Sequence, residues 1–324
     1  MVEYRYPEHR SGDPVDTLTP KAVTLVEVGP RDGLQFEKMV VPTDRKLALI
    51  TRLIAAGLNR IQVASFVHPG KVPQMADAEQ LIGRLPRIQG VEYSALVLNQ
   101  RGLDRALASG IEAVEISISA SDSHSRRNSG MTHEAALEQG LDMIGRAISA
   151  GLTVRASVQC AFGCVHEGDI PTGRVAAIVG RFIDGGAQAI SLADTTGMAS
   201  PPLVKAVLKA LPRFDRLPLA LHLHDTRGLG LVNLMAAMSR GVTVFDTALA
   251  GMGGCPFVPG AAGNIATEDT AHLLATLGIR TGVNVARVAA ISLDMEAFFM
   301  KRFPGRMHRL TAPLTRPATT STGP

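Results

Sequence analysis

Eight short runs of apolar residues, many of them β-branched, recur along the chain and constrain its fold more than any other feature. They are AVTLVEV (22–28), RIQVAS (60–65), EYSALVL (92–98), EAVEISI (112–118), TVRASVQ (153–159), AQAISLA (187–193), LALHLH (219–224) and TVFDTAL (243–249). Such runs are typical of strands that are buried on both faces of a parallel sheet. Amphipathic stretches typical of helices lie between them, at about 43–57, 132–150, 171–185, 200–211, 228–240 and 265–278. Strands that alternate with helices in this way predict an α/β fold, a (β/α)8 TIM barrel, rather than a doubly wound sheet.

The two ends of the chain differ in composition from the predicted barrel. Residues 1–21 mix charged residues with prolines and contain no secretory apolar segment, so we expect an N-terminal tail there. Residues 22–310 are predicted to form the catalytic barrel, with one or two extra helices after residue 282. Residues 311–324 are rich in Thr, Pro and Ser and are predicted to be disordered.

Composition narrows the expected partners and location. The chain is 46% hydrophobic and has no run near the ~18 apolar residues of a membrane helix. Its net charge of +4 favours an anionic small molecule, whereas the absence of Trp and of basic blocks argues against nucleic acid. An odd number of cysteines, three, argues against a disulfide framework and fits a reducing cytoplasm. We therefore expect a cytoplasmic protein with no nucleic-acid or membrane partner. We also expect a homo-oligomer, of a size that composition does not determine.

Unusual polar residues follow three of the predicted strands. Arg31 and Asp32 come directly after the first strand, His222 and His224 end the seventh, and the segment 251–264 follows the eighth. Active sites of such barrels lie at the C-terminal ends of the strands. All of these residues should therefore share one rim of the barrel.

The segment 251–264, GMGGCPFVPGAAGN, is a Gly/Pro-rich loop that contains Cys255 and ends at Asn264. Loops this rich in glycine indicate that the backbone approaches a ligand closely or adopts a positive φ. A thiol on such a loop is a candidate acid, base or nucleophile, and the alternative is an incidental cysteine in a flexible turn.

The His-x-His pair predicts a metal site. Residues two apart on a strand share a face, so His222 and His224 lie side by side and would repel each other if both were charged. A shared metal ion would keep both neutral; alternatively, one packs in the core and the other bonds a backbone carbonyl. Asp32 and Asn264 would add a carboxylate and a carbonyl ligand, although Asn264 could also cap the helix that follows. Such ligands without thiolate suit Mg²⁺ or Mn²⁺ better than structural Zn²⁺.

Five motifs together resemble the 3-hydroxy-3-methylglutaryl-CoA lyase family. They are GPRDGLQ (29–35), SFVxPxxVPQMAD (65–77), LADTTG (192–197), HLHDT (222–226) and GGCPxxxGxxGN (253–264). The similarity extends from about residue 22 to residue 305. This resemblance implies a metal-dependent barrel of the superfamily that makes or breaks C–C bonds beside a carbonyl, here with an acyl-CoA substrate.

The resemblance also implies roles for the rim residues. It implies a divalent ion with four protein ligands, Asp32, His222, His224 and Asn264. The implied reaction is the retro-Claisen cleavage of a 3-hydroxy-3-methylglutaryl thioester to acetyl-CoA and acetoacetate, in which the metal acts as Lewis acid. Arg31 would face the developing enolate oxygen and Cys255 would protonate the enolate carbon. Asp32 and His222 both remain candidates for the base that accepts the hydroxyl proton.

Further residues are expected to contact the substrate. The expected acyl-binding residues are Arg31, Gln35, Gln62, Ser65 and Asp194. The candidate cations for the CoA phosphates are Arg126, Arg127, Lys301 and Arg302, and each of these pairs could equally be solvated surface charge.

Gln62 departs from the family pattern, which has a carboxylate at this position. Gln62 therefore predicts an altered acyl preference, such as a citramalyl-like or larger 3-substituted thioester, and the alternative is a neutral isosteric exchange.

Three other functions stay open on the sequence. One is a lyase for a different 3-hydroxyacyl-CoA, as Gln62 suggests. The second is a Claisen-condensing synthase of the same superfamily, although the isopropylmalate and homocitrate synthases that it would resemble lack the Gly-Cys-Pro loop. The third is a ligand-binding barrel that has lost catalysis.

Overall fold

Eight parallel strands close into one barrel in the order β1 to β8 in the computed structural model, which describes residues 20–211, 217–254, 258 and 262–310. The strands are β1 (Thr24–Glu27), β2 (Arg60–Ser65), β3 (Glu92–Val97), β4 (Ala113–Ser119), β5 (Thr153–Gln159), β6 (Ala189–Ala193), β7 (Leu219–His222) and β8 (Val244–Thr247). Strand β8 pairs with β1 in parallel and completes the closure. The predicted TIM barrel is confirmed; seven of the eight predicted runs contain a strand, and the fourth run, 112–118, ends one residue before β4 does.

Helices surround the barrel. They are α1 (Thr43–Ala55), α2 (Ala78–Gly83), α3 (Gln100–Ser109), α4 (Asp122–Ser129), α5 (His133–Ser149), α6 (Thr172–Asp184), α7 (Pro201–Ala210), α8 (Gly230–Met238), α9 (Thr267–Thr276), α10 (Val285–Phe299) and α11 (Met307–Leu310). The sequence pattern missed α2, α3 and α4. Helix α2 has only six residues, and α4 contains no large apolar residue. Helices α10 and α11 confirm the extra C-terminal helices.

The predicted tails cannot be compared with the structure. Residues 1–19 and 311–324 lie outside the described residues, so the proposed domain limits stay predictions. No helix among the described residues is both long enough and apolar enough to span a membrane.

Strands β4 and β5 show how the barrel is packed. Ile118 of β4 faces outward onto α5, so closely that a Cβ at Gly140 would lie 2.1 Å from its Cδ1. The residues next to Ile118, Ser117 and Ser119, face the other way because side chains alternate along a strand. The outward side chains thus form the core between sheet and helices, whereas the inward side chains fill the barrel.

Candidate active site

Arg31 and Asp32 reach the mouth of the barrel from a single π-helical turn, Gly29–Gly33, that starts two residues after β1. The turn packs tightly against the segment after β8, since a Cβ at Gly29 would lie 2.2 Å from Leu249 Cδ2. Both side chains are buried. The Arg31 guanidinium donates to a carboxylate oxygen of Asp32 and to Oε1 of Gln62.

His222 and His224 face each other, with their Nε2 atoms 3.2 Å apart. His222 is the last residue of β7, and its Nδ1 lies 3.2 Å from Oδ2 of Asp246 on β8. His222 Nε2 is 4.0 Å from Asp32 Oδ2. Neither imidazole bonds a backbone carbonyl of the described residues, so the alternative in which one histidine bonds a carbonyl is wrong.

Asn264 joins this group through a short backbone bridge to His224. Its Nδ2 donates to Asp32 Oδ2 at 2.7 Å and to the Met252 carbonyl at 2.9 Å. Its Oδ1 is buried and accepts no hydrogen bond from the described residues. Asn264 does not cap α9, because Ala266 precedes that helix and contributes no side-chain hydrogen bond.

The cluster fits a divalent metal ion. Ligand atoms of Asp32, His222 and His224 all lie within 4.8 Å of one another, which holds for no other group of three His, Cys, Asp or Glu residues among those described. Two imidazole nitrogens that face each other need a shared cation or proton, and an unpartnered buried carbonyl oxygen at Asn264 needs a donor or cation as well. A carboxylate, two imidazoles and an amide oxygen form a donor set suited to such an ion.

The electrostatics hold Asp32 and His224 in the protonation states that bind a metal ion. Burial raises the pKa of Asp32, but the Arg31 guanidinium and the two imidazoles outweigh it and hold the pKa below its usual value. Burial and the neighbouring His222 lower the pKa of His224 to about 3, so this imidazole is neutral. Burial lowers the pKa of His222, but Asp246 and Asp32 raise it overall. Asp32 is thus anionic and His224 neutral at physiological pH.

The loop after β8 comes close enough to this cluster to require glycine. Gly253 has φ +121°, and a Cβ there would lie 2.5 Å from Asn264 Nδ2 and 3.2 Å from Asp32 Oδ2. Of the two predicted reasons for the glycine-rich composition, close approach to a ligand or a positive φ, the positive φ is therefore confirmed at Gly253. Cys255 lies outside the described residues, and its neighbour Gly254 lines the cavity over the cluster.

A cavity of about 130 Å³ opens beside the cluster at the C-terminal rim. Its lining comprises Arg31, Asp32, Gln35, Phe36, Leu96, Leu98, Glu115, Ser117, His124, Asn128, Ser157, Gln159, Ala193, Thr195, His222, His224 and Gly254. Arg31 and Gln35, both expected to contact substrate, are among these residues.

Gln62, Ser65 and Asp194 do not line the cavity; all three are buried behind its wall. Gln62 bridges Arg31 and Glu115, to which its Nε2 donates at 2.9 Å. Burial raises the pKa of Asp194 to about 7, and its Oδ1 accepts from the Ala199 amide. Gln62 in particular contacts Arg31 rather than the cavity.

Sequence reasoning missed several polar residues that line the cavity. Glu115 and Ser117 of β4 pair in register with Arg155 and Ser157 of β5, and Gln159 follows two residues later. The signal was present in the sequence. Polar residues at every second position of an apolar strand mark the side that faces the barrel interior.

The candidate cations for CoA phosphates lie on the same rim. Arg126 and Arg127 are exposed on α4, which follows β4, and Arg126 pairs with Asp122 at 2.6 Å. Lys301 pairs with Glu37 at 2.7 Å, in the segment between β1 and α1. Arg302, beside Lys301, is exposed.

The fold and the site define a class, the (β/α)8 barrels with a candidate metal centre in the mouth of the barrel. The HMGL-like family model matches residues 22–294, and the chain belongs to this family. The hydroxymethylglutaryl-CoA lyase of Bacillus subtilis strain 168 is 41% identical over 288 residues, which are 89% of this chain and 96% of that protein.

Solved structures agree in fold. The Bacillus subtilis HMG-CoA lyase superposes with a TM-score of 0.86 at 39% identity and covers 90% of this chain and 98% of its own. An HMG-CoA lyase from Acinetobacter baumannii, in complex with coenzyme A and 3-methylmalate, superposes with a TM-score of 0.84 at 34% identity. This superposition covers 94% of the present chain and 98% of the Acinetobacter chain.

Proposed function

We propose that the protein is a divalent-metal-dependent carbon–carbon lyase that cleaves a 3-hydroxy-3-methylglutaryl-CoA-like thioester to acetyl-CoA and acetoacetate. One observation carries this proposal: Asp32, His222 and His224 converge beside Arg31 in the mouth of an HMGL-like barrel. Asp32, His222, His224 and Asn264 would hold the ion. An Mg²⁺ or Mn²⁺ ion there would supply Lewis acidity toward the substrate hydroxyl and carboxylate.

Asp32 is the group left to accept the hydroxyl proton. His222 directs Nδ1 at Asp246 and Nε2 at the cluster, so an imidazole that donates from one nitrogen and ligates through the other has no lone pair for a proton. The two oxygens of the Asp32 carboxylate offer more acceptor positions than its bonds from Arg31 and Asn264 occupy. This geometry favours Asp32 over His222 as the base.

Arg31 is placed to stabilise the negative charge that develops on the thioester. As the C2–C3 bond breaks, the C3 oxygen becomes the ketone of acetoacetate and the bonding electrons form the enolate of the acetyl thioester. The guanidinium has five N–H donors, of which the contacts to Asp32 and Gln62 use only part. The remaining donors can face the enolate oxygen. The Cys255 thiol then delivers a proton to C2 and regains one as Asp32 releases the hydroxyl proton.

We also propose the contacts with CoA, the cellular location and the oligomeric state. Arg126-Arg127 and Lys301-Arg302 are proposed to contact the CoA phosphates, and the coenzyme A bound to the Acinetobacter relative supports a CoA thioester. Two buried free thiols, Cys160 and Cys164, support a reducing cytoplasm. We further propose a homo-oligomer, as expected from the sequence.

A turnover assay with two matched variants tests the proposal. The wild type should release acetyl-CoA from 3-hydroxy-3-methylglutaryl-CoA in a metal-dependent reaction. His224→Ala should lose both bound metal and turnover. Cys255→Ala should keep the metal but lower kcat by at least ~10², the usual scale for losing a positioned proton donor. If the metal content of His224→Ala is unchanged, His224 is not a metal ligand. If Cys255→Ala turns over at a near-normal rate, the thiol is not the proton donor.

A further inference from the structure

Two serines line the cavity with hydroxyl groups that have no hydrogen-bond partner among the described residues. Ser117 of β4 and Ser157 of β5 lie side by side in register, and each is more than nine-tenths buried. Neither hydroxyl makes a hydrogen bond with another residue in the described part of the chain. Buried polar groups in proteins are nearly always hydrogen-bonded, so a bound molecule or water should satisfy this pair.

Glu115 adds an acceptor on the same wall. It lines the cavity two residues before Ser117, next to Arg155 in register. Both of its hydrogen bonds, from Gln62 and from Arg155, are accepted by Oε2. Its Oε1 is therefore not used by either neighbour. Glu115, Ser117 and Ser157 together form what we call the polar wall.

The polar wall lies across the barrel from the candidate metal cluster. In a closed order of eight strands, β4 and β5 stand four positions from β8 and β1. Asp32 follows β1, and the cluster is completed from β7 and from the segment after β8. A ligand held at the cluster thus presents its opposite side to the polar wall.

We infer that the polar wall selects the C3 substituent of the acyl group and that, among substituents larger than the methyl group of 3-hydroxy-3-methylglutaryl-CoA, it favours one that ends in a hydrogen-bond donor, such as hydroxymethyl, over an apolar one, such as ethyl. This inference rests on the proposed function. In the proposed function, the hydroxyl and the carboxylate arm on C3 point to the metal cluster, and the thioester arm points to Arg31. The fourth substituent of the tetrahedral carbon is then directed to the wall that remains.

The residue types favour a hydrogen-bond donor over an alkyl group of the same size. An alkyl substituent would displace water from two serine hydroxyls and a carboxylate oxygen without replacing their hydrogen bonds. A hydroxyl donates to the carboxylate and also accepts from a serine. Sites that are built to bond a substrate hydroxyl discriminate strongly against analogues that lack it.

The test compares two thioesters of nearly equal size and the same configuration at C3, 3-hydroxy-3-(hydroxymethyl)glutaryl-CoA and 3-ethyl-3-hydroxyglutaryl-CoA. The wild type should cleave the hydroxymethyl compound with a kcat/KM about tenfold or more above that of the ethyl compound. The double variant Ser117→Ala/Ser157→Ala should bring this ratio close to one, mainly through faster cleavage of the ethyl compound. The control is Ser191→Ala, since Ser191 adjoins Ser157 in register on β6 but does not line the cavity, and it should leave the ratio unchanged.

The outcomes separate this inference from the proposed function. If the wild type cleaves 3-hydroxy-3-methylglutaryl-CoA but prefers the ethyl compound to the hydroxymethyl one, the polar wall does not select a donor and the inference is wrong. A ratio that is equal in wild type and double variant means that water alone fills this region, and it overturns the inference as well. If none of the three thioesters is cleaved, the proposed function itself fails and the inference with it.

Discussion

At the scale of single residues, the structure explains why residue 62 is a neutral amide. Gln62 accepts from Arg31 through Oε1 and donates to Glu115 through Nε2. A glutamate at this position could accept from Arg31 but would bring a second carboxylate against Glu115. The carboxylate of this contact pair is thus on β4, at Glu115, whose other partner is Arg155.

Exchanging the side chains of residues 62 and 115 tests whether this pair tolerates only one carboxylate. Gln62→Glu should lower the Tm by about 5 °C or more at pH 8, because two buried carboxylates would then lie against each other with no hydrogen between them. Gln62→Glu/Glu115→Gln, which moves the carboxylate from β4 to β2, should recover most of the loss. Thermal melts of the three proteins suffice, and a single variant as stable as the wild type would contradict the argument.

At the scale of elements, helix α11 supports the turn from which the Cys255 loop starts. Ala250, after β8, has a left-handed backbone with φ +56°, and its amide donates to both carboxylate oxygens of Glu268 at 3.0 Å. His308 of α11 lies 3.0 Å from Glu268 and 3.0 Å from Glu296 of α10. Since Glu268 is fully buried, this imidazole is an important partner for its charge.

His308→Ala should therefore loosen the loop as well as the helix. Removing one partner of a buried ion pair leaves an uncompensated charge, so the Tm should fall by roughly 5 °C or more. The Cys255 thiol should also react faster with an alkylating reagent, which reports on the loop itself. Leu310→Ala, at an exposed position of the same helix, is the control and should change neither value. Wild-type melting and alkylation in His308→Ala would show that α11 does not support the loop.

At the scale of the whole molecule, one buried carboxylate joins the two ends of the barrel sheet. Glu27, the last residue of β1, accepts from the amides of Gly29 and Leu249 at 2.8 and 3.0 Å and from the Thr267 hydroxyl at 2.7 Å. It thereby connects β1 to the segment after β8 and to α9. Burial raises the pKa of Glu27 to about 7, although these three bonds act in the opposite direction.

This raised pKa makes barrel stability depend on pH. The folded state binds a proton more tightly than the unfolded chain, whose glutamate has a pKa near 4.5, so the contribution of Glu27 is greatest below pH 4.5 and is lost as pH rises through about 7. Glu27→Gln does not ionise. The Tm of this variant minus that of the wild type should therefore rise between pH 5 and pH 8. An exposed control, Glu112→Gln, should give a flat difference, and a flat difference for Glu27→Gln would contradict the shift.

The sequence by itself determined the barrel, because short apolar strands and amphipathic helices are local patterns with fixed periods. It also placed Asp32, His222, His224 and Asn264 on one rim, because the ends of successive parallel strands share an edge. Only the tertiary structure decided which side chains meet across the barrel. Glu115 contacts residues 62 and 155, which are 53 and 40 positions away, through strand register and closure. No local pattern encodes such distances along the chain, so the bridging position of Gln62 and the polar wall emerge only once the sheet is closed.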